Sequence, residues 1–282
     1  PQYRHRGLVR TQIARFHRLV AERGFDLSII QGIPYYYRQY GYAYALDHSG
    51  ADTLPIWRIP TSEGAMGCHY TLREAVQEDG PVLTGLYERA MSEVPIHVAR
   101  NAEFWAYLIA HVRVPVHILE DRSTGRAGGY VAIRPMKNGQ GTQITESAIL
   151  GMDMAWAAMR AIRARGGQEI RLGWPQDGDL VRLGRSLGSQ PLPGYQWLWR
   201  IRDVGGLLGK LRPVLDGRLA AAGCSGLTVD VLINLYRDAY RVQIEAGCVA
   251  SVTPIGFADA SLGADGGDLC IPPEAFVRLA LG

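Results

Sequence analysis

The chain has 282 residues, 47% of them hydrophobic and 20% charged, and its 30 Lys plus Arg against 27 Asp plus Glu leave a formal net charge of +3. This is the composition of a soluble globular protein long enough for two or three domains, and so small and dispersed a positive charge argues against a nucleic-acid partner. There is no signal peptide and no apolar run long enough to span a bilayer, so the expectation is a cytoplasmic protein with no membrane partner.

The first eight residues, Pro1-Gln2-Tyr3-Arg4-His5-Arg6-Gly7-Leu8, set a glycine among arginines ahead of an amphipathic helix with Val9, Ile13, Phe16 and Val20 as its apolar stripe and Gly24 as its stop. A helix start of this kind presents unpaired N–H groups and the positive end of the helix dipole, and the glycine lets a phosphate approach the backbone. Arg4-His5-Arg6-Gly7-Leu8-Val9 resembles the pyrophosphate loop of the GCN5-related N-acetyltransferases, although Val9 stands where that pattern has glycine or alanine. What the resemblance implies is that Arg4, Arg6, Gly7, Leu8, Val9 and Arg10 bind acetyl-CoA as cosubstrate. Taken alone, the same residues would equally suit a surface helix with solvated arginines and a turn glycine.

A short apolar run, Leu27 to Ile30, follows, then Gly32, Pro34 and the cluster Tyr35-Tyr36-Tyr37-Arg38-Gln39-Tyr40-Gly41-Tyr42. Helix, strand and a short aromatic helix ending in glycine is the order in which an acetyltransferase of that superfamily completes its coenzyme site. The resemblance places Tyr37 where such enzymes hold a tyrosine that protonates the departing thiolate. A phenol is protonated at neutral pH, as that role needs. Tyr35, Tyr36, Tyr40 and Tyr42 read as packing residues with hydrated hydroxyls.

Residues 42–58 read as strands that close the first unit, and Pro60 to Gly67 as a linker. From His69 the pattern restarts with a strand, a helix capped by Asp79 with a stripe at Val82, Leu86 and Ala90, a second helix around Trp105, three strands between Val116 and Ile149, a helix from about Met152 to Arg165 and a strand from Glu169 to Leu172. This repeats the acetyltransferase order. The loop Ile149-Leu150-Gly151-Met152-Asp153 has no arginine, however, and an acid in the first turn is a poor neighbour for a pyrophosphate. From about Asp203, one helix carrying Leu207 to Leu219, alternating strands and a closing helix from Glu274 to Leu281 resemble a sterol-carrier-like domain.

The expected fold is α+β: tandem acetyltransferase-like mixed α/β units, the first incomplete because the chain begins inside the motif, then a sterol-carrier-like helix-on-antiparallel-sheet domain. The boundaries read as 1–60 for the C-terminal half of a coenzyme-binding domain, 61–202 for a degenerate copy and 203–282 for the carrier-like end. Together these resemble the enhanced intracellular survival family of bacterial acetyltransferases. The resemblance implies acetyl transfer from acetyl-CoA to a primary amine, of an aminoglycoside or polyamine-like acceptor, by a homo-oligomer such as a hexamer. The alternative is a non-catalytic carrier or scaffold holding an apolar ligand in the carrier-like domain. Cys68, Cys224, Cys248 and Cys270 lie far apart and read as reduced, mostly buried thiols, and the scattered histidines give no metal-ligand spacing, so no metal is expected.

Overall fold

The computed structural model describes residues 6–48, 50–61, 69–94, 96–112, 115–137, 139–259 and 266–281. The chain forms two compact units, one made of Pro1–Leu46 with Gln196–Gly282 and the other of Asp47–Tyr195.

The first unit opens with α1 (Leu8–Glu22), β1 (Leu27–Ile30), a 3-10 helix (Tyr36–Tyr40) and β2 (Ala43–His48). Gly24 ends α1 at φ 70°, a left-handed conformation that suits glycine. The apolar stripe is buried less than its spacing predicts, because α1 meets the rest of its unit through its later turns. Val20 is 5% exposed, whereas Val9 and Phe16 are each 42% exposed.

The second unit is built on β3 (Ala51–Pro55), β4 (Tyr70–Glu74), α2 (Gly80–Met91), α3 (Ala102–His111), β5 (Val116–Asp121), β6 (Ala127–Pro135), β7 (Gly141–Ala148), α4 (Met152–Ala164), β8 (Glu169–Trp174), α5 (Asp179–Ser186) and β9 (Gln190–Leu192). Its seven-stranded sheet runs β4-β5-β6-β7-β8-β3-β9. Only β7 and β8 pair in parallel, and α4 is their crossover. On one face Ala155, Ala158, Met159 and Ile162 of α4 meet Ile144, Ile170 and Leu172. On the other, Leu83, Leu86, Met91 and Trp105 meet Ile118 and Tyr130. Strand β3, expected to close the first unit, instead pairs with β8 and β9 of this sheet, because Leu54 belongs to the α4 core and Asp52 is held by Arg185 and Ser189.

Two local readings of this unit change. Asp79 makes no side-chain cap to α2. Its carboxylate accepts from the Val76 N–H at 2.8 Å and takes Arg73 in a two-pronged pair at 2.6 and 2.8 Å. The buried face of α2 is Leu83, Leu86, Tyr87 and Met91, with Val82 43% exposed. The Arg100 guanidinium lies over the rings of Tyr87 and Trp105 and donates to both oxygens of Glu146 at 2.6 and 2.8 Å, while the Tyr130 hydroxyl donates to Glu146 at 2.6 Å.

The chain then returns to the first unit with β10 (Tyr195–Ile201), α6 (Val204–Lys210), α7 (Arg212–Ala221), β11 (Val229–Asn234), β12 (Ala239–Glu245), β13 (Cys248–Gly256), β14 (Leu269–Cys270) and α8 (Pro273–Leu281). Strand β10 lies between β1 and β2, pairing antiparallel with β1 from Leu27↔Ile201 to Ile30↔Leu198. Ala43, Ala45, Trp199 and Ile201 of that sheet share one core with Leu207, Leu208, Leu235, Phe276 and Val277. The single helix expected over 207–219 is two, since Pro213 lies in the first turn of α7 and cannot extend α6. A four-stranded sheet of order β13-β12-β11-β14 completes the unit. The three described thiols are less buried than expected: Cys248 and Cys270 are exposed and Cys224 half-buried, all at turns or strand ends, while Cys68 lies outside the described residues. Among the described residues, no helix is long and apolar enough to cross a membrane.

Candidate functional site

The start of α1 is an open set of backbone donors. Gly7 occupies the N-cap at φ 70°, no side chain caps the helix, and its first turn holds no acid. The Thr11 N–H donates to the Gly7 carbonyl at 3.1 Å. The N–H groups of Leu8, Val9 and Arg10 precede the first intrahelical bond and have no acceptor within the helix. Residues 6–10 are all exposed, and a Cβ added at Gly7 would meet nothing within 4 Å. Glycine is required there by conformation, and among the described residues nothing crowds it. Unpaired donors, a helix dipole and the guanidinium groups of Arg6 and Arg10 fit a pyrophosphate. Arg4 and His5 lie outside the described residues.

The corresponding helix start in the second unit carries acids of its own. Gly151 is the N-cap of α4, and its N–H donates to the Asp179 carboxylate at 2.6 Å. Asp153 adds a second acid in the first turn.

The aromatic turn leads into Tyr42, whose ring lies 5.6 Å from that of His17 on α1. The Tyr36 hydroxyl sits 3.5 Å from that of Tyr40, and this contact raises its pKa while the charge of Arg10 acts in the opposite sense. Tyr37 is half-buried, edge-on to Tyr36 at 5.1 Å and to Tyr42 at 6.3 Å between centroids. Its ring rests on Gly32, where an added Cβ would collide with the Tyr37 Cε2 atom. Tyr35, at φ 63°, donates its N–H to the Tyr44 hydroxyl at 2.9 Å, and the Arg38 guanidinium lies over both rings.

Beneath Tyr37 is a polar group that periodicity does not reveal. Tyr42 is fully buried, and its hydroxyl accepts from Ser28 Oγ at 3.1 Å and lies 3.3 Å from His17 Nε2. Burial pushes the Tyr42 phenol above its usual value, while burial and then the charge of Arg200 hold His17 below its own. Arg200 reaches this group because β1 and β10 pair Ser28 with Arg200. Only that long-range register could have found Ser28, His17 and Arg200 together.

The same unit holds a cavity of about 460 Å³ with apolar walls at Ile201, Leu235, Phe276 and Val277 and charges at Arg38, Arg237 and Glu274. Arg38 and Glu274 form an ion pair at 3.6 Å.

No protein-family model matches the chain, and no curated protein matches it in sequence. Among solved structures it is similar to a conserved protein from Enterococcus faecalis V583 described as a probable N-acyltransferase, with TM-score 0.73 at 19% identity, over 100% of this chain and 69% of that one. It is similar to a GCN5-related N-acetyltransferase from Anabaena variabilis, TM-score 0.66 at 15% identity, and to Eis1 from Mycobacterium abscessus, TM-score 0.61 at 18% identity, again over 100% of this chain and 69% of each. At these identities the likeness is one of fold. The chain has the mixed α/β architecture of GCN5-related N-acetyltransferase structures, Eis1 among them.

Proposed function

We propose that the chain carries the coenzyme-binding and acid-catalytic elements of an N-acetyltransferase that moves an acetyl group from acetyl-CoA to a primary amine of the aminoglycoside or polyamine kind. The observation that carries this reading is the uncapped, acid-free start of α1, in the same compact unit as the Tyr37 cluster. Acetyl-CoA, when bound, supplies the acetyl thioester. The N–H groups of Leu8, Val9 and Arg10 and the side chains of Arg4, Arg6 and Arg10 hold its pyrophosphate. The Tyr37 hydroxyl supplies the proton that the sulfur takes up as the thioester C–S bond breaks. Gly32 and the Tyr42 ring fix the Tyr37 ring. Asp179 closes the helix start of the second unit, which works without coenzyme.

The test is steady-state acetyl transfer from acetyl-CoA to a panel of amines. Tyr37→Phe should lower turnover about 10²- to 10⁴-fold, the usual worth of a general acid, with coenzyme affinity retained. Tyr36→Phe, which loses only the contact with Tyr40, should change it little. Equal, modest effects of the two variants would return Tyr37 to a packing role. One observation favours the carrier reading, the 460 Å³ cavity in the first unit. A stoichiometric apolar ligand in a lipid extract, with no acetyl transfer to any amine, would support it.

A further inference from the structure

A second cavity, about 360 Å³, opens in the other unit and uses none of the residues assigned to acetyl transfer. Three strands build its floor. Arg134 on β6 pairs laterally with Gln143 on β7, and Gln143 with Arg171 on β8. Laterally paired residues share a sheet face, so these side chains form one row. The β6–β7 turn, closed by the Met136 N–H donating to the Gly141 carbonyl at 2.9 Å, brings Lys137 to the same cleft.

The row is ordered before any ligand arrives. Arg134 donates from Nε and Nη2 to the Gln143 side-chain oxygen at 3.1 and 2.8 Å, which leaves the amide NH2 as the donor end. Arg171 donates to Glu169 at 3.3 Å. A Cβ at Gly141 would run into the Glu169 carbonyl, so only glycine lets β7 and β8 approach this closely. One buried polar atom of a cleft residue, Arg171 Nε, has no partner. Such atoms are rare in folded proteins and call for an explanation.

Charge identifies the ligand class. Three cations line the cleft, and one carboxylate, Glu169, pairs with one of them, leaving a surplus of two positive charges. A phosphomonoester carries nearly two negative charges at neutral pH and presents oxygens that guanidinium forks engage pairwise. We propose that this cleft binds the phosphate group of a small phosphomonoester, with Arg134, Lys137 and Arg171 as its cations and Gln143 as a neutral donor.

Calorimetric titration of the whole chain with inorganic phosphate and with methyl phosphate tests this. Both should bind, and Arg134→Gln or Lys137→Gln should each weaken binding about tenfold or more, the usual cost of losing a charge-assisted hydrogen bond. Both side chains are exposed, so thermal melting should not change. Arg126→Gln, which removes an exposed charge of the same unit outside the cleft, should leave affinity as it was. Phosphate binding that survives in the Arg134→Gln/Lys137→Gln double variant, or that weakens as much in Arg126→Gln, would overturn the proposal. So would retention on phosphatidate vesicles with no response to the free esters.

Discussion

Replacing Gly32 by alanine adds one methyl group, and the structure puts it against the edge of the Tyr37 ring. The new carbon would lie 3.0 Å from Cδ2 and 3.1 Å from Cζ, and closer still to Cε2. Carbon atoms rest at about 3.5 to 4.0 Å, so the ring must retreat by more than an ångström. Overpacking of this kind costs about 1 to 3 kcal/mol, which the protein should survive because Tyr37 is only half-buried. Displacing a catalytic group by about 1 Å is worth about 10²-fold in rate. On the proposed reading, Gly32→Ala should therefore cut acetyl transfer about a hundredfold while melting only slightly earlier, with coenzyme affinity intact. The decisive comparison is a double-mutant cycle. In a Tyr37→Phe background, where the proposed acid is already gone, Gly32→Ala should cost almost nothing more. Losses that multiply, or a folded Gly32→Ala enzyme at full turnover, would show that Gly32 does not act through Tyr37.

Gly7→Glu puts a carboxylate at the start of α1 and a side chain at φ 70°, so calorimetry should detect no coenzyme binding; unchanged affinity would remove the loop from the site. His117 is buried and held below its ordinary value of 6.5 first by burial and then by the charge of Arg165, with Glu74 and a backbone hydrogen bond at Pro115 opposing. A depressed folded value means that the unfolded chain takes up its proton first. Stability is then full above about pH 6.5 and falls as pH drops from there to the lower folded value, and His117→Gln should flatten that limb in melts from pH 7.5 to 5. Arg100→Met strands the Glu146 carboxylate, 19% exposed, with only Tyr130 to satisfy it, and should cost about 3 kcal/mol in urea unfolding. Arg100→Met/Glu146→Leu should recover most of that loss, and a double variant no better than the single would refute the account.

Much of this architecture could be read along the chain wherever the signal is local. Gly7, Gly24 and Gly41 punctuate the helix, strand and aromatic turn of the candidate site, and each has the positive φ its place requires. The strands and crossover helix from Tyr70 to Trp174 are likewise marked by their own periodicity and by the stop at Gly166 and Gly167. Pairing partners are another matter. Strand β3 has the same alternation whichever sheet it joins, and β10 lies between β1 and β2 through hydrogen bonds to residues roughly 170 positions earlier. The α5 helix is only eight residues long, with Gly184 inside it where Leu172 leaves no room for a Cβ, so propensity argues against the element that packing stabilises. Asp79 shows the converse: the position before Gly80-Pro81 suggests a cap, but Arg73 is close enough to take the carboxylate. The polar group of Ser28, His17, Tyr42 and Arg200 was illegible for the same reason as β10, since it exists only once Ser28 and Arg200 stand side by side.

The carboxylate of Asp179 on the Gly151 N–H bears on how the two units respond to what surrounds them. A helix start that carries its own counter-charge needs nothing from solution, so the folding equilibrium of the second unit should be indifferent to the concentration of coenzyme. Among the described residues, the start of α1 has no acid in its first turn and no side-chain cap. A ligand that binds only the folded form stabilises it in proportion to the logarithm of its concentration above the dissociation constant, about 2.7 kcal/mol at a hundredfold excess. On the proposed reading, the two units of one chain are therefore coupled unequally to metabolism: a fall in cellular acetyl-CoA would loosen the first unit, expose its α1 face to proteases and shorten the lifetime of the catalyst, while the second unit stayed folded.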